Sequence, residues 1–336
     1  MAQDYNIDGK VVLLTGGTGS FGRKFVETVL SIHDPKKLII FSRDELKQFE
    51  MHEVFNTRRF PAVRYFLGDI RDRDRLYRAL DGVDIVVHAA ALKQVPAAEY
   101  NPFEFVKTNV VGTQNLIDAA IDSGVERVIG LSTDKAANPI NLYGATKLCS
   151  DKLLTAANAY TGSCKTKFSV VRYGNVAGSR GSVIPFFQKK SKEGKIPITD
   201  PRMTRFLITL DHGVRFVLEM LGKTQGGEIF VPKIPSAKIT DIAEAVAPGC
   251  ECEIIGIRPG EKIHEMMISG DDGRRTLEYE DHYVIRSAQQ DGWAPEKVQV
   301  EAGAKQCAED YEYRSDTNDQ WLSVEDLRDL ISASVE

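Results

Sequence analysis

Apolar positions in the first half of the chain form short runs, and longer stretches of mixed polarity separate those runs. The six runs, rich in β-branched residues, are VVLLT (11–15), KLIIF (37–41), VRYFL (63–67), DIVVHAA (84–90), RVIGLS (127–132) and KFSVVRY (167–173). The helix-like stretches between them are 44–55, 71–80, 102–123 and 143–160. Near-continuous apolar strands that alternate with helices are typical of a parallel sheet covered on both faces. We therefore predict an α/β fold with a doubly wound parallel sheet of the Rossmann type.

This alternation ends where glycine and proline become frequent, in the stretch GSRGSVIPFF (178–187). Apolar runs are shorter from there on. We predict a Rossmann domain over residues 1–178 and a smaller α/β domain formed mainly by residues 179–336. The apolar segment GGEIFVPK (226–233) predicts that about residues 205–235 return to the main sheet.

The composition is that of an ordinary globular protein and argues against several classes of function. The chain has 336 residues, of which 42% are hydrophobic and 27% charged, enough for one large or two closely joined domains. Its net charge of −5 provides no basic surface for nucleic acid or an anionic membrane. No apolar run reaches the roughly 18 to 20 residues of a membrane span. The polar N-terminal sequence MAQDYNIDGK is unlike a secretory signal, so we expect a cytoplasmic protein.

The five cysteines and six histidines show no spacing typical of a metal site. The number of cysteines is odd, which favours reduced thiols in a cytoplasmic protein over a disulfide framework. We predict no metal.

A glycine-rich turn follows the first predicted strand. In VVLLTGGTGSFGRKF, Gly16, Gly19 and Gly22 lie between that strand and the start of a helix. Glycine permits a positive φ and lets the backbone approach a pyrophosphate, which the N-terminus of a helix favours. A tight turn without a ligand is the alternative. The position of the triplet at the start of a long βαβ series favours a dinucleotide site.

The end of the second predicted strand bears on which dinucleotide binds. A carboxylate there usually binds the 2′-hydroxyl of NAD, whereas an arginine suits the 2′-phosphate of NADP. The chain has Ser42 and Arg43 at this point, then Asp44, with Lys47 one turn on. We predict NADP; the alternative is that Arg43 and Lys47 belong to a solvated helix face. Asp69 follows the third strand, where it would accept the adenine amine or cap the next helix.

The stretch LSTDKAANPINLYGATK carries the candidate chemistry. Tyr143 and Lys147 are four residues apart, which places them on one face of a helix. A phenol, with a pKa of about 10, needs a neighbouring cation to act as a base at neutral pH. Thr133 precedes this pair, and Asp134 and Lys135 add an acid and a potential base for which a simple alcohol dehydrogenase has no use. The alternative is that Asp134 and Lys135 only cap the helix that follows.

Together, the glycine triplet and the Tyr-x-x-x-Lys spacing resemble the extended short-chain dehydrogenase/reductase family. In that family the tyrosine exchanges a proton with the substrate hydroxyl, and a serine or threonine orients the same hydroxyl. The lysine lowers the pKa of the tyrosine and binds the nicotinamide ribose. The resemblance assigns these roles to Tyr143, Thr133 and Lys147. It also implies that Asn109 organises the active-site helix and that Asn175 binds substrate.

An acid directly after the threonine resembles the sugar-nucleotide 4,6-dehydratases of this family. These enzymes take a hydride from C4 of the hexose, a proton from C5 and the hydroxyl from C6, and return the hydride to C6. We expect Lys135 to remove the C5 proton and Asp134 to protonate the C6 hydroxyl. A free lysine is protonated at pH 7. Burial and nearby positive charges, Lys147 among them, would lower its pKa and Asp134 would raise it, and the sequence leaves this balance open.

Three motifs narrow the resemblance to the dehydratases that act on UDP-N-acetylglucosamine and invert C5. They are Thr-Asp-Lys-Ala, AALKQVPAAEYNP (90–102) and GIRPGEKIHE (256–265), and the similarity continues to NDQW (318–321). The tyrosine at position 143 resembles the branch that makes pseudaminic acid for flagellin, whereas the capsule branch typically has methionine there. The resemblance implies UDP-N-acetylglucosamine as substrate, a tightly bound and recycled NADP, and a homo-oligomer. The alternatives are a retaining dehydratase, a 4-epimerase and a non-catalytic NADP-binding regulator.

A nucleoside diphosphate sugar also needs cationic groups for its pyrophosphate. The substrate-binding candidates are Lys93, Asn175, Arg205, Arg258 and Glu261. The cofactor-binding candidates are Gly16, Thr18, Gly19, Ser20, Phe21, Gly22, Ser42, Arg43, Lys47, Asp69, Ile70, Ala89, Ala90, Ala91, Lys93, Asn109, Tyr143 and Lys147. The catalytic candidates are Thr133, Asp134, Lys135, Tyr143 and Lys147.

Overall fold

The first half of the chain alternates strands with helices, in a computed structural model that describes residues 5–179, 182–287 and 303–333. The strands are β1 (Val11–Thr15), β2 (Lys37–Ser42), β3 (Val63–Leu67), β4 (Ile85–His88), β5 (Arg127–Thr133) and β6 (Lys167–Tyr173). The helices are α1 (Ser20–Ile32), α2 (Glu45–Val54), α3 (Arg73–Leu80), α4 (Val95–Tyr100), α5 (Pro102–Phe105), α6 (Gly112–Asp122) and α7 (Leu142–Ala157). All six predicted strands are confirmed; β1, β3 and β6 have the predicted bounds, and the others differ only at their ends.

Three of these helices begin at a side chain that caps them. Asp44, Asp72 and Asn141 each accept a backbone N–H from the first turn of α2, α3 and α7, respectively. Such a bond satisfies one of the donors that every helix start leaves without an intrahelical partner. The caps therefore fix where α2 and α7 begin, at the ends of the loops that carry candidate site residues.

The helix predicted over 102–123 is interrupted. A π-helical segment, Val106–Val111, separates α5 from α6. The hydrophobic pattern does not reveal it, because a π turn differs from an α turn by a single residue and leaves the segment amphipathic. Short π segments inside α-helices frequently lie at functional sites, and this one contains Asn109.

Shorter elements make up the rest of the described chain. The strands are β7 (Asn175–Val176), β8 (Lys195–Ile198), β9 (Thr204–Ile208), β10 (Ile229–Pro232), β11 (Ser236–Lys238), β12 (Glu251–Ile254), β13 (Met266–Ile268), β14 (Thr276–Glu278), β15 (His282–Ile285), β16 (Lys305–Gln306) and β17 (Tyr313–Arg314). The helices are α8 (Val183–Ser191), α9 (Leu210–Lys223), α10 (Ile239–Val246), α11 (Gly270–Gly273) and α12 (Val324–Ala333). Arg180 and Gly181, in the predicted glycine- and proline-rich stretch, lie outside the described residues.

One large sheet organises the molecule, and it confirms the predicted doubly wound α/β fold. Its strand order over the described residues is β16-β14-β15-β10-β6-β5-β4-β1-β2-β3. Neighbouring strands from β3 to β10 are parallel, and β15, β14 and β16 extend the sheet in antiparallel pairs. The order reverses at β1, which lies between β2 and β4. Ligands of such sheets bind at this reversal, beyond the carboxyl ends of the strands.

Three apolar clusters stabilise the described chain, and the smallest of them packs Tyr143 against Ala98 and Phe105. Two are larger. The larger one packs helices onto the main sheet and includes Leu13, Phe25 and Val87, all fully buried. The smaller one joins β8, α10 and α12 through residues such as Ile242 and Leu327. A division into two domains near residue 178 remains our proposal. Among the described helices, none is both long and apolar enough to cross a bilayer.

Candidate functional site

A cleft of about 760 Å³ lies where β1 to β6 end. Its inner wall is formed by the loops that follow these six strands. Its outer wall includes Arg205 of β9 and the segment 258–265. Parallel strands bring their carboxyl ends to one edge of a sheet, and the predicted site residues meet there for that reason.

The glycine-rich turn forms the floor of the cleft beside β1. Gly16 has a φ of 67°, and a Cβ atom there would lie 2.8 Å from the backbone nitrogen of Ala90. A Cβ at Gly22 would collide with the carbonyl of Gly17, so α1 packs directly on the turn. A side chain at either position would fill the space between the turn and its neighbours. The turn and the start of α1 thus form a cradle of backbone N–H groups that fits a pyrophosphate.

Polar groups at the end of β2 lie on the same side of the cleft. The hydroxyls of Thr18 and Ser42 are hydrogen-bonded at 2.9 Å. Asp44 accepts hydrogen bonds from the backbone and side chain of Lys47, and these bonds lower the pKa of Asp44. The carboxylate of Asp44 is therefore used as the cap of α2. The half-exposed side chain of Arg43 lines the cleft, where its guanidinium is accessible to a 2′-phosphate.

Asp69 also lines the cleft, but its carboxylate already has a strong partner. Arg71 donates to it from Nε at 3.0 Å and from Nη2 at 2.7 Å. Burial raises the pKa of Asp69. The bonds from Arg71 and the nearby charge of Arg43 lower this pKa by more than burial raises it, so the net shift is downward. The predicted contact with an adenine amine remains a prediction.

Asn109 binds the loop after β4 instead of lining the cleft. Its side chain accepts the N–H of Leu92 at 2.8 Å and donates to the carbonyl of Leu92 at 2.9 Å. It also donates to the hydroxyl of Thr146 on α7 at 3.0 Å. The π-helical segment, the loop after β4 and the helix that carries Tyr143 are thereby joined by one buried amide. In this structure Asn109 is placed to position the loop and helix and does not reach the cleft surface.

His88, at the end of β4, is buried and neutral. Its ring nitrogens lie 2.8 Å from the hydroxyl of Thr15 and 3.3 Å from that of Thr113. Burial lowers the pKa of His88 to about 3, and the charge of Lys147 contributes. Because His88 stays neutral throughout the physiological pH range, we interpret it as a packing residue at the end of β4.

Tyr143 and Lys147 lie on α7, with Thr133 opposite them at the end of β5. Burial raises the pKa of Tyr143 to about 12, while the charge of Lys135 and the hydroxyl of Thr133 lower it. We expected Lys147 to be the cation that lowers this pKa, but the largest such contribution comes from Lys135. Burial lowers the pKa of Lys147 itself.

Asp134 and Lys135 form the short 3₁₀ turn (Asp134–Ala136) that follows β5. The ammonium of Lys135 lies 3.0 Å from Asp134 Oδ1 and 3.3 Å from Glu265 Oε1. It also lies 3.5 Å from the amide oxygen of Asn175. Burial lowers the pKa of Lys135, but the two carboxylates outweigh burial and the net shift is upward. The balance that the sequence leaves open is thus resolved toward a protonated lysine.

Asp134 lies beneath the cleft surface and is fully buried. The hydroxyl of Thr133, which lines the cleft, donates a hydrogen bond to Asp134 Oδ1 at 2.9 Å. Burial raises the pKa of Asp134, with the charge of Glu265 contributing. The ammonium of Lys135 opposes this shift, and the net direction is upward, which is the direction that an acid catalyst requires.

A buried ion pair lies behind Lys147. Asp151 is one turn further along α7 and accepts hydrogen bonds from Ser132 at 2.8 Å and from Arg172 at 3.1 Å. The other end of the guanidinium of Arg172 donates to the carbonyl of Met267 at 2.9 Å. The sequence gives no local signal for this network, because its members come from β5, β6, α7 and β13.

The cationic candidates for substrate differ in what they already bind. Arg205 lines the cleft, but it donates to the carbonyls of Thr204, Ile263 and Lys262 and lies 3.7 Å from Glu265. Most of its N–H donors are bonded within the protein, so few of them are left for the predicted contact with a pyrophosphate. Among the described residues, the half-exposed Arg258 contacts just one carboxylate, that of Glu261, at 3.7 Å. Burial lowers the pKa of Lys93, and Lys135 lowers it further.

Taken together, the cleft contains every predicted site residue except Asn109 and Asp134, which lie directly behind it. The prediction did not include Glu265, which lines the cleft and contacts Lys135, although the residue ends the quoted motif GIRPGEKIHE. Within the described residues, no group of three or more His, Cys, Asp or Glu side chains could hold a metal ion.

Comparison with known proteins places these features in a family. The model of the family described as "Polysaccharide biosynthesis protein" matches residues 12–287. A Campylobacter jejuni protein named UDP-N-acetylglucosamine 4,6-dehydratase (inverting) is 54% identical over 331 residues, which cover 97% of this chain and 98% of that protein. A Rickettsia rickettsii protein named UDP-glucose 4-epimerase is 41% identical over 333 residues, 96% of this chain and 95% of that protein.

Two solved structures are similar as well. Pen from Bacillus thuringiensis is 40% identical, with a TM-score of 0.88, and the match covers 98% of this chain and 99% of that one. DesIV from Streptomyces venezuelae, a dTDP-glucose 4,6-dehydratase solved with NAD, is 25% identical, with a TM-score of 0.66 over 75% of this chain and 86% of that one.

Proposed function

Because the chain belongs to the polysaccharide biosynthesis protein family, among the extended short-chain dehydrogenase/reductases, we infer that it is a nucleotide-sugar 4,6-dehydratase. It is a hydro-lyase that acts on UDP-N-acetylglucosamine with inversion at C5. The observation that carries this function is the near full-length identity of 54% to a dehydratase of that name. Further support is that Thr133, Lys135, Tyr143 and Lys147 line one cleft and that Asp134 is buried behind it.

The glycine-rich turn would hold a nicotinamide cofactor, which would supply the acceptor for the C4 hydride and its return to C6. Tyr143 takes the proton of the C4 hydroxyl, which Thr133 orients. The C4 ketone then acidifies the proton on C5, and Lys135 removes that proton. Asp134, which accepts a hydrogen bond from the hydroxyl of Thr133 at 2.9 Å, supplies the proton for the departing C6 hydroxyl. The product is UDP-2-acetamido-2,6-dideoxy-β-L-arabino-hex-4-ulose, which suits the first step of pseudaminic acid-type synthesis.

The cofactor is NADP in our proposal. The support is the chemistry at the end of β2, where Arg43 is half-exposed at the cleft and the carboxylate of Asp44 is occupied by Lys47. The solved relative DesIV binds NAD, so the choice needs a direct test. The dissociation constants of both dinucleotides, measured on protein stripped of cofactor, should favour NADP, and Arg43→Ala should remove the preference. Tighter binding of NAD to the unaltered protein would contradict the proposal.

The substrate pyrophosphate binds near Arg258 and Lys93, with Asn175 closer to the sugar. The support is that Arg258 contacts a single carboxylate within the part of the chain that the structure describes, whereas the donors of Arg205 are largely engaged. Glu261 holds Arg258 from the same loop. A homo-oligomer remains an expectation from the family resemblance.

Proton NMR of the purified protein with UDP-N-acetylglucosamine in deuterated buffer tests the function. We expect a 4-keto-6-deoxy product with inverted configuration and deuterium at C5, formed without added cofactor. A retaining dehydratase would give the opposite C5 configuration, and a 4-epimerase would give a C4 epimer without deuterium at C5. No reaction, even with NADP supplied, would contradict the dehydratase assignment and favour a non-catalytic role.

A further inference from the structure

Arg258, which we propose as a ligand of the substrate pyrophosphate, lies in a tight turn of the outer cleft wall. In this Arg258 turn (residues 258–261) the backbone N–H of Glu261 donates to the carbonyl of Arg258 at 3.2 Å, and Gly260 has a φ of 79°. A proline at the second position and a glycine with positive φ at the third are typical of a type II turn. These bonds fix the shape of the turn, but they do not fix its place relative to the catalytic residues.

The Arg258 turn packs against the chain just before α7. The side chain of Asn141 donates from Nδ2 to the carbonyl of Gly260 at 2.7 Å. A Cβ atom at Gly260 would lie 2.9 Å from the Cβ of Asn141, so the backbone approaches the start of the helix more closely than a residue with a side chain could. Just beyond the turn, Nζ of Lys262 donates to the carbonyl of Ala137 at 2.6 Å. The outer wall of the cleft is therefore bonded at two points to the segment that precedes α7.

Asn141 makes its contact with one end of its amide and caps α7 with the other. Its Oδ1 accepts the backbone N–H of Gly144 at 2.8 Å, while Nδ2 binds Gly260. The two partners fix the orientation of the amide, because a reversed amide would place a donor against the N–H and an acceptor against the carbonyl. Tyr143 lies two residues further, in the first turn of the same helix. One side chain thus joins the Arg258 turn to the part of α7 that carries the proposed acid–base residue.

The cap alone does not require asparagine at this position. Aspartate and serine accept the first N–H groups of a helix about as well as asparagine does. A carboxylate, however, has no N–H to donate to Gly260, and a serine side chain is one bond shorter than the asparagine amide. Substitutions at Asn141 can therefore remove the bond to Gly260 and keep the cap of α7.

We propose that Asn141 is a positioning residue for substrate binding, one that holds the Arg258 turn where its guanidinium binds the substrate pyrophosphate. The inference rests on the proposed function, because it takes Arg258 as a ligand of that pyrophosphate. Without the bond from Asn141, the turn leaves this position for part of the time. The apparent affinity then falls in proportion to the fraction of molecules in which the turn is docked. Bound substrate itself holds the turn in place, so the rate at saturation changes little.

Calorimetric titration with UDP, which contains the pyrophosphate but no sugar, is the direct test. For Asn141→Ser we expect a Kd for UDP about five- to tenfold higher, the effect of losing one hydrogen bond. The KM for UDP-N-acetylglucosamine should rise by about the same factor, while kcat should stay within about threefold of the unaltered enzyme. A purely structural role would instead lower the fraction of active molecules, and with it kcat, at an unchanged KM.

Two further variants separate the bond to Gly260 from other effects of the substitution. Asn141→Asp also keeps the cap and has no donor for Gly260, so it should weaken UDP binding at least as much as Asn141→Ser. Asn56→Ser is the matched control, because Asn56 accepts the backbone N–H of Arg59 at 2.9 Å in the loop between α2 and β3. This control should bind UDP as the unaltered protein does.

A double-mutant cycle with Arg258→Ala tests whether Asn141 acts through Arg258. In the Arg258→Ala background, Asn141→Ser should change the Kd for UDP by less than about twofold, because the guanidinium that the bond positions is gone. Losses that multiply would show that Asn141 affects the nucleotide independently of Arg258, and they would overturn the proposal. A Kd for Asn141→Ser within about twofold of the unaltered protein would overturn it as well. Failure of the unaltered protein to bind UDP would instead contradict the proposed function.

Discussion

Burial determines the charge of the titratable side chains around the cleft. It keeps His88 neutral, raises the pKa of Tyr143 to about 12 and raises the pKa of Asp134. Lys135 is the exception, because two carboxylates outweigh its desolvation. These side chains cannot be interpreted one at a time, since each state depends on neighbours that are distant in the sequence.

The stability of the protein should fall in mild acid because of His88. Its pKa is about 3 in the folded state and about 6.5 when unfolded, so below pH 6.5 the unfolded state binds the extra proton. This contribution is complete above pH 6.5 and decreases as the pH falls toward 3. At pH 5 the loss is about 2 kcal/mol. Urea unfolding of His88→Asn at pH 7 and pH 5 should show a smaller difference than the unaltered protein shows.

A substitution at the exposed His52 is the matched control and should keep the difference of the unaltered protein. An unchanged difference in His88→Asn would show that other groups cause the acid sensitivity.

At the scale of elements, the π-helical segment between α5 and α6 has a clear structural role. It places Asn109 where one amide binds both backbone groups of Leu92 and the hydroxyl of Thr146. The loop after β4 contains cofactor candidates such as Ala91 and Lys93, so its position relative to α7 matters for the cofactor.

Asn109→Ala should loosen that loop and weaken binding of the dinucleotide. The substitution leaves the N–H and carbonyl of Leu92 without their partner, which costs about 1–3 kcal/mol. Gel filtration followed by absorbance of the retained cofactor measures the effect. Gln114→Ala removes a side chain whose one hydrogen-bond partner among the described residues is Asp118 of the same helix, α6, and this variant should retain cofactor normally. Equal retention by both variants would contradict this role of Asn109.

At the scale of the whole molecule, Arg172 connects two parts of the site. It is almost fully buried, and it joins Asp151 of α7 to the carbonyl of Met267 in β13. Glu265 lies just before that strand. Arg172 therefore helps to fix both the helix that carries Lys147 and the strand next to Glu265, the carboxylate that contacts Lys135.

Arg172→Met should destabilise the protein strongly, because it leaves the buried charge of Asp151 without its partner. Breaking a buried ion pair from one side costs about 3–5 kcal/mol. Urea denaturation followed by circular dichroism measures the change. Arg314→Met removes a half-exposed pair with Asp316 and should cost about 1 kcal/mol or less. Similar losses in the two variants would show that the burial of Arg172 brings no special cost.

The sequence predicts the part of this architecture that local patterns encode. The six apolar runs predict β1 to β6 because a strand that is buried on both faces consists of a continuous run of apolar residues. The Tyr-x-x-x-Lys spacing predicts which helix faces the cleft. The contact between Glu265 and Lys135 could not be predicted in this way, because the two residues are far apart in sequence and only the fold brings them together. For the same reason the sequence could not show that Arg205 is engaged by backbone carbonyls.

Thr133 ends β5, and Asp134 and Lys135 follow it in one short turn, whereas the glycine-rich turn that we propose holds the dinucleotide follows another strand, β1. Natural selection can therefore change the reaction by replacing residues in this turn while the rest of the scaffold is inherited unchanged. Gaining or losing one residue there would displace a hydroxyl, an acid and an ammonium at once. Descendants of this scaffold are expected to diversify at this turn by replacement, at constant length.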